Sequence, residues 1–146
     1  MSSAPPAGLT GMESQTTASG DRGRRTTSTT VTPVLVAELS VEGWQLPVYV
    51  HVIDHPDARV LVDTGMTELH PLLADMVPRL MPLDRQAGLD LAGIDLVVNT
   101  HLHADHCGGN HLFAGLPVYV QRRELEDART EDDYTCLLYT SDAADE

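Results

Sequence analysis

The chain alternates apolar and polar positions in short blocks. From Val34 to Glu42 the run VLVAELSVE places Glu38, Ser40 and Glu42 two residues apart once Val36 is passed, which predicts an edge or half-buried strand. Leu46 to Ile53 predicts a second strand, His55-Pro56-Asp57-Ala58 a turn, and Arg59 to Val62 a third strand, together a short meander. Thr67 can cap a helix running to Leu80, because Leu69, Leu72, Leu73, Met76, Val77 and Leu80 fall on one face, with Pro78 breaking its last turn. A Pro, Asp and Gly loop from Pro82 to Gly88 follows. Ile94 to Asn99 is short and mostly apolar, as expected of a central strand buried on both faces. Asn110 to Gly115 predicts a connection, Pro117 to Val120 a strand, and Arg122 to Arg129 the start of a charged helix. Strands alternating with helices in this order predict a layered α/β fold.

Composition narrows the ordered part. Residues 1–33 hold most of the Ser and Thr and few large apolar side chains, too little to offset the entropy of ordering, so this segment is expected to be disordered. It has no apolar core of a secretory signal, and no stretch reaches the length of a membrane span, so the expected compartment is the cytoplasm. A net charge of −13, from 22 acidic and 9 basic side chains, argues against nucleic acid as a partner. The 2 cysteines, Cys107 and Cys136, give no disulfide framework. The final segment, CLLYTSDAADE from Cys136 to Glu146, resembles a translated sequencing adapter. On that reading the native chain continues beyond Thr135, and the ordered domain expected here, residues 34–135, is the N-terminal part of a larger one.

Chemistry concentrates in Thr100 to Gly109, where three imidazoles and a carboxylate fall within six positions: His101, His103, Asp105 and His106. His101 and His103, two apart on an extended strand end, can turn both rings to one side and serve one metal ion. Asp105 and His106 are adjacent and diverge, which suits a second ion; two ions about 3.5 to 4 Å apart can share one activated water. Gly108 and Gly109 allow the backbone to pass closely beneath. Asp63, in Asp63-Thr64-Gly65 at the end of the third strand, is either a turn former or a brace for the ligand loop. Of the other histidines, His55 and His70 are expected at the surface, His51 alternates with apolar neighbours on a strand, and His111 lines the mouth of the site without ligating. Cys107 is expected to be a small buried filler.

The pattern His101-x-His103-x-Asp105-His106, preceded by a strand ending Asp63-Thr64-Gly65, resembles the signature of the metallo-β-lactamase superfamily. The flanks VYVHVIDHPDARVLVDTGM and THLHADHCGGNHLFAGLPVYVQRRELEDAR are similar to N-acyl-homoserine lactonases, from about Val34 to Tyr134. The resemblance implies the N-terminal part of an αββα sandwich, of α/β (α+β) class, with two divalent metal ions, usually zinc, between the edges of two sheets. It implies that His101 and His103 hold the first ion and Asp105 and His106 the second, with Asp105 the catalytic carboxylate of the set. Asp63 would brace the ligand loop without touching metal. The implied reaction is hydrolysis of a lactone ring that silences quorum sensing, with a small-molecule lactone as the partner and a homodimer of the longer parent compatible with it. The family's remaining ligands fall beyond Thr135, so the 146-residue chain is expected to be inactive. A glyoxalase II-like thioesterase and a non-catalytic metal-binding fragment are the alternatives.

Overall fold

A computed structural model describes residues 28–130. The expectations for residues 1–27 and for the 136–146 tail lie outside the described residues.

The meander forms as the alternation predicts. Strands β1 (Thr30–Val41), β2 (Trp44–Asp54) and β3 (Arg59–Val62) pair antiparallel in sequence order. β1 begins at Thr30, so Thr30 to Pro33, expected to be disordered, pair instead with His51 to Asp54. Glu42 (φ 49) and Gly43 (φ 85) both take left-handed backbone, the geometry of a tight two-residue hairpin, which lets β2 start at Trp44 rather than Leu46. A bulge at Val36 shifts the register between Leu35 and Ala37. Because one extra residue flips the side-chain alternation, Val36, Ala37 and Leu39 all reach the core.

The expected helix from Thr67 to Leu80 does not form. A 3-10 turn covers Pro71–Met76, Val77 takes a left-handed φ of 44, and Arg79–Leu80 make strand β4 against Ala37 and Glu38 of β1. Two prolines set the limits: Pro71 fits only the start of a helix, and Pro78 disfavours helical backbone at Val77. The supposed apolar face divides accordingly. Leu73 is buried, whereas Leu69, Leu72 and Val77 are exposed.

Strand β5 (Leu96–Val98) pairs parallel to β3, and β6 (Val118–Tyr119) pairs parallel to β5, giving the order β4-β1-β2-β3-β5-β6. A four-residue helix, α1 (Ala104–Cys107), and α2 (Arg122–Thr130) complete the mixed α/β architecture. One face of the sheet packs Val36, Val50, Val52, Leu61 and Val97 against Met66, Leu73, Leu83, Ile94 and Phe113. The other carries Val31, Tyr49 and Tyr119, all exposed, and β5 is half-buried on that side rather than covered on both. None of the described helices is long and apolar enough to cross a membrane.

Candidate functional site

Parallel strands β3 and β5 end side by side, and the motif leaves the end of β5. Asp63 N–H extends the ladder by one bond, donating to Val98 O at 2.8 Å. The chain then folds back on the residues after β3: Thr64 N–H donates to His106 O at 2.7 Å, and Gly109 N–H to Gly65 O at 2.8 Å. This contact explains the glycines. A Cβ on Gly109 would meet Thr64 O at 2.5 Å, and one on Gly108 would meet Gly65 O at 3.0 Å as well as Ala104 O of α1 at 2.5 Å. Close approach requires them, since Gly108 (φ −60) and Gly109 (φ −93) have ordinary backbone.

His101, His103 and His106 come together. The His101 ring centroid lies 4.7 Å from that of His103, edge to face, and 4.1 Å from that of His106. Asp105, which adjacency predicts to diverge from His106, instead places Oδ2 at 3.4 Å from His106 Nε2. The short helix α1 turns both side chains to the same side of the loop.

Asp63 organises these groups. It is buried, with a left-handed φ of 61 that aspartate tolerates better than most residues. Its Oδ1 accepts from Thr100 N–H at 2.8 Å; its Oδ2 accepts from the Thr100 hydroxyl at 2.8 Å and from His106 Nδ1 at 3.0 Å. The Thr100 hydroxyl also lies 3.0 Å from His101 Nδ1. Having given its proton to Asp63, it can only accept, so His101 Nδ1 carries hydrogen and its Nε2 keeps a free lone pair. One carboxylate therefore orients two imidazoles, His106 directly and His101 through Thr100.

The charges follow. Burial opposes ionisation of Asp63, but hydrogen bonds from His106 and Thr100 outweigh it and hold the carboxyl below its usual range. Asp105 is lowered in the same way, burial being overcome by His106. Burial disfavours the His106 cation, yet Asp105 and Asp63 together raise its pKa to about 9. His101 is lowered, first by burial and then by electrostatic repulsion from the neighbouring imidazoles, His106 before His103.

Sequence reasoning missed several supporting groups. Asn99 and Thr64, both buried, share Asn110: Thr64 Oγ1 lies 2.9 Å from Asn110 Oδ1, and Asn110 Nδ2 donates to Asn99 Oδ1 at 2.8 Å. Glu124 of α2 accepts from Leu102 N–H at 2.9 Å. Each of these bonds joins residues far apart in the chain, so no local pattern marks them. His51, His55, His70 and His111 do not join the cluster: His70 Nδ1 accepts from Leu72 N–H, and His111, exposed, approaches Gly108 O. Cys107 is buried, as expected of a filler. Among the described residues, no three His, Cys, Asp or Glu side chains converge tightly enough to enclose a metal ion.

Residues 43–133 match the sequence profile of the metallo-beta-lactamase superfamily, and the chain belongs to that family. Within it, the chain is similar to N-acyl homoserine lactonases. It is 30% identical over 111 residues to the lactonase AiiA of Bacillus thuringiensis subsp. kurstaki, an alignment covering 64% of this chain and 44% of that protein. A solved B. thuringiensis AiiA variant with N-decanoyl-L-homoserine at its active site superposes with a TM-score of 0.57 at 25% identity, covering 75% of this chain and 55% of the other. An N-acyl homoserine lactone hydrolase with N-hexanoyl-L-homoserine at its catalytic metal centre gives a TM-score of 0.56 at 26% identity, with the same coverage. The chain thus spans less than half the length of the curated relatives it matches.

Proposed function

We propose that the protein carrying this chain is a metal-dependent hydrolase that opens the lactone ring of N-acyl-homoserine lactones. The observation that carries the reading is the clamp of Asp63 on Thr100 and His106, which turns the Nε2 atoms of His101 and His106 away from their hydrogen-bond partners on Nδ1. Imidazoles held in this way suit zinc or a similar divalent ion. His101 and His103 would hold one ion, and Asp105 and His106 a second; Asp105 Oδ2, 3.4 Å from His106 Nε2, would exchange that ion pair for the metal.

Bound metal would supply water acidified enough to act near neutral pH and would polarise the carbonyl under attack. The residues of this chain do the rest. Asp63 fixes the rings, the turn at Gly108 and Gly109 holds the loop against β3, and Asp105 places negative charge beside His106. A small-molecule lactone as partner and a cytoplasmic location belong to the same reading.

Turnover tests it. The full-length protein containing this segment, loaded with zinc, should open N-hexanoyl- and N-decanoyl-homoserine lactones, with acid release followed by a pH indicator. Metal-loaded protein that cleaves a glutathione thioester but neither lactone would reject the reading.

A second reading for the 146 residues alone is a metal-binding segment without catalysis, because this chain covers 44% of the curated lactonase it matches. Lactone turnover by the 146-residue chain itself would exclude it.

A further inference from the structure

Helix α2 packs where the sheet does not. Leu102 lies between His101 and His103 in sequence, yet its side chain is outside the main core. It joins a small separate cluster with Cys107 and with Ala128 of α2, flanked by Val120 and Leu125. Leu102 N–H, between the two histidines, donates to Glu124 Oε1 of the same helix at 2.9 Å. The backbone of the ligand loop is thus held by two carboxylates at alternate residues: Asp63 at Thr100 and Glu124 at Leu102.

We infer that Glu124 is a positioning residue for the ligand loop, acting through the Leu102 backbone to set the relative placement of His101 and His103. The inference rests on reading these histidines as metal ligands. A carboxylate that accepts the Leu102 N–H restrains the His101–Leu102 peptide plane, and so the backbone from which the His101 side chain leaves and which leads one residue on to His103. The apolar cluster presses α2 onto the loop, and Glu124 sets the register of that contact.

The test uses the 146-residue chain with three substitutions: E124A, E124Q, and E126A as a control on the same helix. Two quantities are read, the affinity and visible spectrum of bound Co(II), and the hydrogen exchange of the Leu102 amide in metal-free protein. E124A should weaken Co(II) binding about tenfold or more, shift the spectrum and speed Leu102 exchange. E124Q keeps an acceptor oxygen and should stay within about threefold of wild type, and E126A should match it. Unchanged affinity and exchange in E124A would overturn the inference, as would an equal loss in E126A. If E124A does not fold, E124Q decides, and a loss as large as tenfold in that variant overturns it. Wild-type chain that takes up no Co(II) would count against the metal reading alone, and Leu102 exchange in E124A would still settle whether Glu124 holds the loop.

Discussion

Asp63 Oδ2 lies 3.0 Å from His106 Nδ1 and takes the Thr100 hydroxyl at 2.8 Å, so a single oxygen joins the end of β3 to both ends of the ligand loop. Asparagine tolerates the left-handed backbone at this position as well as aspartate does. D63N should therefore remove the anionic acceptor without adding strain. We expect a loss of about 2 kcal/mol in urea denaturation and at least a tenfold weakening of metal binding by calorimetry. D63A should be worse, since alanine adds backbone strain to the same loss.

Thr100 is a relay that a single methyl can break. T100V keeps the shape but leaves His101 Nδ1 without its acceptor, so both tautomers become accessible. Nitrogen chemical shifts of His101 should change from one tautomer to a mixture, at a stability cost of about 1 kcal/mol. T100S should restore the wild-type shifts.

The two kinds of glycine should separate by cost. G109A forces a Cβ to within 2.5 Å of the Thr64 carbonyl, backbone that cannot move without unmaking the turn. A loss of about 3 kcal/mol is expected. Gly88 (φ +84) has open space around it, so G88A carries only the strain of its φ, about 1 kcal/mol. Urea midpoints of the two variants provide the comparison.

The raised pKa of His106 makes metal-free stability depend on pH. A folded-state pKa of about 9, above the ordinary 6.5, means the stabilisation is fully present below about pH 6.5 and is lost as pH rises through 9. In the presence of chelator, the unfolding free energy from urea titrations should fall between pH 6.5 and 9.5, by on the order of 2 kcal/mol after allowing for partial exposure of the ring. H106Q should flatten the profile over that window.

The meander and the ligand loop were legible because their signals are local. Alternation marks β1 to β3, and the four ligand-type side chains lie within six residues. The segment between Thr67 and Leu80 misled for the opposite reason: its apolar spacing fits a helix, while Pro71, Pro78 and pairing with β1 decide otherwise. The alternative roles for Asp63 are joined in the structure, since it occupies a left-handed turn position and braces the loop. Glu124, Asn99 and Asn110 had no signature because their partners are set by how β5, α1 and α2 pack.

The carboxylate bonds that hold the ligand loop to the rest of the fold span long stretches of chain: 37 residues from Asp63 to Thr100, 43 to His106, and 22 from Leu102 to Glu124. A peptide of the motif alone contains none of these partners. Closing such loops is the slow, entropy-limited part of folding. The loop should therefore acquire its geometry late, after β3 and β5 have paired. Metal capture then becomes a reporter of folding: in a stopped-flow experiment, the Co(II) spectrum should rise with the final folding phase and lag the growth of secondary structure.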